Sequence, residues 1–114
     1  MSRDWRLYLD DMLAACRKVE RFTAGMTFET FRNDDRTYDA VVRNLEIIGE
    51  AAKQVPDAFR RQVPGVDWRK VAAFRDVLAH AYHGIDDDIL WDVVREKVPS
   101  LEAQLADFLS RLPS

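Results

Sequence analysis

The stretch Phe74-Arg75-Asp76-Val77-Leu78-Ala79-His80-Ala81-Tyr82-His83-Gly84 decides how this chain folds. It carries both histidines of the protein together with an arginine and a tyrosine. Apolar residues recur through it at the spacing of an amphipathic helix, yet Arg75 falls in the middle of the apolar stripe. The pattern therefore predicts a packed helix with one charged position that needs an explanation.

The helix around this stretch is expected to begin at Trp68 with Asp67 as its N-cap, and Gly84 is a natural end. Each residue of an α-helix advances about 100° around the axis. Arg75 and Tyr82, seven residues apart, therefore share one edge. His80 lies about 140° from Arg75 and shares a second edge with Asp76, which is four residues earlier.

Outward from this helix, the sequence predicts an all-α bundle of four main helices with short extra helices, in a single domain over residues 1–114. The other long helices are expected near 4–23, near 35–55, and from 86 to the end, with a kink or break at Pro99. Gly49 lies inside the second of these helices, where the absence of a side chain would suit a close crossing with another helix. In the first helix, the apolar positions that recur three and four apart are Trp5, Tyr8, Met12, Ala15, Val19 and Phe22. In the second, they are Tyr38, Val41, Leu45, Ile48, Ala52 and Val55. Val42 and Ile47 widen the apolar stripe of the second helix.

Composition narrows the class of protein. Of the 114 residues, 47% are apolar and 32% charged, which suits a bundle with a core and a charged surface. The charge of −3 argues against non-specific coating of nucleic acid but leaves room for a local basic cleft. The charged N-terminus, the absence of a long apolar run and the single cysteine, Cys16, predict a soluble cytoplasmic protein without a membrane partner or internal disulfide.

The residues of the 74–84 stretch allow several interpretations. Arg75 could form an interhelical ion pair with Glu46 or Glu50, with both histidines on the surface. Alternatively, arginine is suited to bind a phosphate through two hydrogen bonds, and histidine is the usual general acid or base near neutral pH. An acid one turn before His80 can orient its ring, so Arg75, Asp76 and His80 could cleave RNA without a metal. The spacing of histidines and acids matches no zinc site, and no cofactor is expected.

These residues resemble a known family, the HepT-like toxins, which are small HEPN-domain proteins of prokaryotes. Residues 75–82 match the family signature R-xxxx-H-x-Y, and Asp76 occupies the position after the arginine where the family has a polar residue. The resemblance covers nearly the whole chain in order. The other matching blocks are Arg43–Ala52, Asp67–Arg69, Gly84–Trp91 and Pro99–Leu101.

The resemblance implies a specific biochemistry. HepT-like proteins are all-α, dimeric, metal-independent endoribonucleases that inhibit growth as the toxin of a toxin–antitoxin system. Their partner is a minimal nucleotidyltransferase antitoxin, which transfers AMP to the signature tyrosine, Tyr82 here. By this resemblance Arg75 and His80 are the catalytic pair, and Asp76 supports them.

Arg75 and His80 point apart on one helix, so a single copy would form a poor site. Two copies related by a two-fold axis can place the Arg75 and His80 side chains of both copies in one groove. Two other functions stay open. The chain could be a non-catalytic helical dimer that binds a nucleotidyltransferase partner and nucleotide or RNA. It could also be a purely structural bundle in which Arg75 is one half of a buried ion pair.

Overall fold

The computed structural model describes residues 4–80 and 86–113, and for Val77, Ala79 and His80 it describes the backbone alone. These residues form helices and no strand, which confirms the all-α prediction for the described part of the chain. The helices are α1 (Trp5–Thr23), α2 (Phe28–Arg32), α3 (Asp35–Gln54), α4 (Asp57–Arg60), α5 (Trp68–His80), α6 (Asp87–Asp92) and α7 (Val98–Ser110), with a π-helical turn at Val93–Lys97 between α6 and α7.

Helix α3 lies at the centre of the packing, because it contacts both α1 and α5, while α7 packs on α1. Cys16 is fully buried between these helices, and burial, followed by the nearby carboxylates of Glu20 and Glu102, raises the pKa of its thiol to about 12. Cys16 therefore acts as a packing residue of the core. The largest fully buried side chains are Phe31, Leu9, Met12, Leu90, Leu105, Val19, Val41 and Cys16.

Local chemistry at the helix ends agrees closely with the sequence. Asp34 caps α3 by accepting a hydrogen bond from the backbone N–H of Thr37 at 3.0 Å, and this bond lowers the pKa of the Asp34 carboxyl. Thr27 and Thr30 cap α2 reciprocally. Gly25 follows α1 with a φ of 77°, a conformation that costs other residues about 1–2 kcal/mol. The predicted bounds near 4–23 and 35–55 and the predicted starts at Trp68 and residue 86 agree with the structure to within a residue. The predicted helix end at Gly84 lies outside the described residues.

The predicted apolar stripes are partly wrong. Phe22 and Ile47, both assigned to the core side, have 37% and 36% of their surface exposed. On α1 the buried line runs instead through Leu9, Leu13 and Cys16 alongside Met12 and Val19. The reason is that α1 contacts α3 along one side and α7 along another, so its buried face is broader than a single heptad stripe and turned away from Phe22.

The last long helix runs past the predicted break at Pro99. Proline lacks a backbone N–H and crowds the carbonyl four residues earlier, which interrupts regular α-helix. Here the preceding turn, Val93–Lys97, widens to a π-helix in which the N–H of Val98 donates to the carbonyl of Val93. The chain then continues as α7 with Pro99 in its first turn, where the missing donor costs little.

Tyr38 joins α3 to the start of α6. Its hydroxyl donates to Asp87 Oδ1 at 2.8 Å, and burial, together with that carboxylate, raises the pKa of Tyr38 to about 12. The ring of Phe31 packs against Tyr38 and Trp91, with centroids 5.4 and 5.0 Å apart. Phe31 therefore fills this end of the bundle, whereas Phe28 is only half-buried.

Gly49 lies where α3 crosses α5. A Cβ atom at position 49 would fall deep inside the van der Waals radius of Arg75 Cβ and 3.2 Å from the carbonyl oxygen of Val71. The two backbones therefore approach as closely as they do only because position 49 lacks a side chain. This confirms the prediction of a close crossing.

Gly49→Ala is expected to destabilise the protein by about 1–3 kcal/mol, because the added methyl must force α3 and α5 apart. Helix propensity alone predicts the opposite sign, a gain of about 1 kcal/mol. Gly65→Ala is the matched control, since its Cβ would meet only the flexible end of Gln104 and its φ is not positive. Urea unfolding of both variants measures the difference, and equal stabilities would contradict a close crossing.

Candidate functional site

The start of α5 is held firmly in place, which fixes the register of every residue after it. Asp67 caps the helix by accepting a hydrogen bond from the N–H of Lys70 at 3.1 Å. The indole N–H of Trp68 donates to the carbonyl oxygens of Arg60 at 3.0 Å and Val63 at 3.3 Å. The N-terminal end of α5 is therefore tied to the last residue of α4 and to the segment that follows it.

Arg75 emerges from α5 at its crossing with α3. The first carbons of its side chain lie over Gly49, so the stem of the arginine is packed while its guanidinium reaches the surface. The Arg75 side chain is 37% exposed. The close crossing therefore presents a cationic group at a defined place on the protein surface.

Two carboxylates contact the guanidinium of Arg75. Its Nε lies 3.3 Å from Glu50 Oε2, and its Nη1 donates to Asp76 Oδ1 at 3.3 Å. The same Asp76 oxygen lies 3.8 Å from Lys53 Nζ. Two cations and two carboxylates thus form a row across the α3–α5 crossing, and we call Glu50, Lys53, Arg75 and Asp76 the crossing cluster.

The crossing cluster is half-exposed rather than buried. Glu50 and Asp76 are 53% and 51% exposed, and ion pairs in such surroundings contribute only about 0–1 kcal/mol each. The predicted pairing of Arg75 with Glu50 is confirmed, whereas Glu46 forms no ion pair with Arg75. In the single chain the ion pairs of Arg75 are not buried, because water reaches Arg75, Glu50 and Asp76, and this contradicts the hypothesis of an ion pair buried within the bundle.

The other predicted site residues are placed only in part. His80 belongs to α5, which continues as regular helix from Arg75, so the two backbones are about 7.5 Å apart along the axis and about 140° around it. The side chain of His80 lies outside the described residues, as do Tyr82 and His83 altogether. Arg75 and Asp76 are therefore the predicted site residues whose contacts the structure gives.

Lys53 is the member of the crossing cluster that the sequence did not single out. It lies one turn after Glu50 on α3, which is the spacing of neighbouring residues on a helix surface. Once Arg75 is placed opposite Gly49, that spacing brings Lys53 to Asp76. Within residues 4–80 and 86–113, no three histidine, cysteine or acidic residues gather as metal ligands would. None of the described helices has the length and apolarity needed to cross a bilayer.

The amino-acid sequence of the chain matches a known protein family. The family described as "Ribonuclease HepT-like" matches residues 12–108, which include the whole crossing cluster and His80. The chain belongs to the HepT-like ribonuclease family. The family resemblance seen in the signature from Arg75 to Tyr82 is thereby confirmed.

Relatives of known name agree with this assignment. A protein of Thermococcus cleftensis named "Probable ribonuclease HepT" is 45% identical over 104 residues, covering 91% of this chain and 94% of its own. A protein of Methanocaldococcus jannaschii, named as a candidate RNase, is 44% identical over 99 residues, covering 87% and 82%. Another candidate RNase, of Caldanaerobacter subterraneus, is 38% identical over 106 residues, covering 93% and 95%. No solved structure matches the chain.

Arg75→Ala is expected to lower the free energy of unfolding by no more than about 1 kcal/mol, because its ion pairs are half-exposed. Leu78→Ala is the matched control, a buried position on the same helix that should cost about 2–5 kcal/mol. Urea unfolding monitored by tryptophan fluorescence compares them. A loss of about 3–5 kcal/mol in Arg75→Ala would instead mark a structural ion pair.

Proposed function

We propose that this chain is a metal-independent endoribonuclease and the toxin of a prokaryotic toxin–antitoxin system, acting through Arg75 and His80. The observation that carries the proposal is the half-exposed guanidinium of Arg75, held at the α3–α5 crossing of a HepT-like chain, five residues before His80 on the same helix. The substrate is RNA and no cofactor takes part.

The chemistry follows from the two side chains. A ribose 2′-hydroxyl attacks the adjacent phosphorus as a histidine accepts its proton, and the 5′-oxygen leaves with a proton returned to it. The phosphorane formed on the way carries additional negative charge, which the guanidinium of Arg75 offsets. The products are a 2′,3′-cyclic phosphate and a 5′-hydroxyl, and no metal is required at any step.

A single copy presents the two groups poorly. A separation of about 140° around one helix points Arg75 and His80 toward different sides of α5. A homodimer with a two-fold axis places the Arg75 edge of one copy near the His80 edge of the other, and so completes the site. We therefore propose a composite active site at the dimer interface.

The carboxylates of the crossing cluster orient the guanidinium of Arg75 in the absence of RNA. Glu50 binds the Nε edge and Asp76 binds Nη1, while Nη2 has no hydrogen bond to a described residue. Arginine has five N–H donors, so a phosphate can bind one edge while a carboxylate keeps another. Because both pairs are half-exposed, replacing a carboxylate with a phosphate costs little. Asp76 thus supports the catalytic pair by orienting the guanidinium.

The test is RNA cleavage by purified protein in the presence of EDTA. His80→Ala and Arg75→Ala should each lower the rate of cleavage by at least about 100-fold, because each removes one role in proton transfer or charge stabilisation. Arg69→Ala is the matched control, an exposed arginine on the same helix. Mixing the two inactive variants should restore part of the activity if the site is shared between copies.

Unchanged cleavage in His80→Ala would contradict the mechanism. Failure of the mixture, with each variant folded and dimeric, would instead place the complete site in one copy. RNA binding by the parent protein with no cleavage would favour the second candidate function, a non-catalytic dimer that binds a nucleotidyltransferase and nucleotide or RNA. The observation that favours this alternative is the pair of carboxylates beside Arg75.

We also propose that a minimal nucleotidyltransferase antitoxin neutralises the protein by adding AMP to Tyr82. A bulky anion two residues beyond His80 would repel RNA and obstruct the groove. Co-expression with the nucleotidyltransferase should raise the intact mass in steps of one AMP, and Tyr82→Phe should abolish them. Mass steps that persist in Tyr82→Phe would move the modification to another residue.

A further inference from the structure

The described helices leave a seam open between α5 and the final helix, α7. Helix α5 packs against α3, and between α5 and the final helix lies a groove whose volume is about 440 Å³. Its floor is formed by Leu45 and Ile48 of α3, and Val71 and Phe74 of α5 form one wall. We call it the seam groove. Cavities of about 300–1,000 Å³ with apolar linings are the usual sites of small ligands in proteins.

The seam groove is separate from the crossing cluster. Phe74 precedes Arg75 by one residue and Asp76 by two, so Phe74 and Asp76 project about 160° apart around α5. The groove therefore lies on the side of α5 turned away from Asp76, and neither Arg75 nor Asp76 lines it. A dimer built on the Asp76 side would leave the groove accessible.

The rim of the groove carries an excess of positive charge. Its charged lining residues are Lys70, Lys97 and Asp67. Lys97 has no ion-pair partner among the described residues, and Lys70 reaches Asp67 only at 3.9 Å with 88% of its side chain exposed. Asp67 is also occupied as the cap of α5. At least one lysine is thus available for an anion at the mouth of an apolar groove.

The π-helical turn contributes to this arrangement. Val93 and Lys97, at its two ends, both line the groove, one with an apolar side chain and the other with an ammonium group. Such turns are rare and occur frequently at functional sites. The same turn therefore presents an apolar wall beside a lysine that has no ion-pair partner among the described residues.

We propose that the seam groove binds an amphipathic anion, a small molecule with an apolar chain or ring system and one carboxylate, sulfonate or phosphate. Its apolar part would cover Leu45, Ile48, Val71 and Phe74, and its anionic group would pair with Lys97. Bound there, it contacts both α5 and the final helix and closes the seam. Because it binds only the folded chain, the melting temperature rises with its concentration.

The probe pair is 1-anilinonaphthalene-8-sulfonate and N-phenyl-1-naphthylamine, which share one ring system and differ in the sulfonate. Fluorescence titration of the full-length protein measures both affinities. Lys97→Gln should weaken the sulfonate by about 3-fold or more and leave the neutral dye within about 2-fold, as expected for one exposed ion pair. Lys18→Gln on α1 is the matched control and should change neither.

Ser100→Phe tests the location, because Ser100 is an exposed residue on the rim and a phenyl ring there fills the mouth. Both dyes should lose affinity. Unaltered affinity of both dyes in Ser100→Phe would mean that they bind elsewhere. An equal loss of affinity for both dyes in Lys97→Gln would show that the groove does not prefer anions. A change of oligomeric state in Ser100→Phe on sedimentation would make the groove a subunit contact. Each of these results overturns the proposal.

Methyl NMR of the unmodified protein gives a measurement that needs no variant. Decanoate should shift the methyl signals of Val71 and Val93 saturably, with weaker effects from decanol, and leave the buried Val19 of α1 unmoved. No saturable shift at Val71 or Val93 would overturn the proposal. These experiments do not involve RNA, so their failure is distinguishable from failure of the proposed ribonuclease.

Discussion

The approach of α3 to α5 at Gly49 is the constraint on which the rest of this structure depends. The absence of one side chain lets the stem of Arg75 lie directly on the backbone of α3. This contact sets where the guanidinium emerges, and so which residues of α3 can reach it. Glu50 and Lys53 enter the crossing cluster because they lie within about one turn after the crossing point on α3. The same helix crossing therefore determines both how α3 packs on α5 and where the charged groups of the candidate site lie.

Much of the fold was predictable because local signals were strong. Asp67 was predicted as the N-cap of α5 and caps it in the structure. Asp34 and Asp86 cap α3 and α6, and Gly25 follows α1, so these ends also carry the residue types typical of such positions. Which apolar residues face the core was less predictable. Leu9 and Phe22 are both apolar, and only the positions of the neighbouring helices decide that one is buried and the other exposed. The π-helical turn before Pro99 was also hidden, since a proline predicts a disruption without its form.

The sequence predicted which residues belong to the candidate site better than it predicted the contacts between them. The charge of Arg75 interrupts an apolar stripe and so indicates a special position, and the sequence offers Glu46 and Glu50 as its partners. Glu46 was equally plausible in sequence, and the choice follows from the point at which the helices cross. Lys53 gave no signal, because an exposed lysine on a helix is the commonest kind of surface residue. The proposed sharing of the site between two copies could not be predicted as contacts, because the sequence of one chain does not define how a second copy is oriented.

The Tyr38–Asp87 hydrogen bond has a consequence for measurements of pH dependence. Because its folded pKa of about 12 exceeds the ordinary 10, Tyr38 stabilises the fold fully below about pH 10, and that stabilisation is lost as the pH rises toward 12. Burial moves Cys16 to the same alkaline range. The two histidines and the terminal amine are then the groups of this chain whose ordinary pKa lies near neutrality. A transition near neutral pH would therefore exclude Tyr38 and Cys16 as its source, because the pKa of each lies near 12.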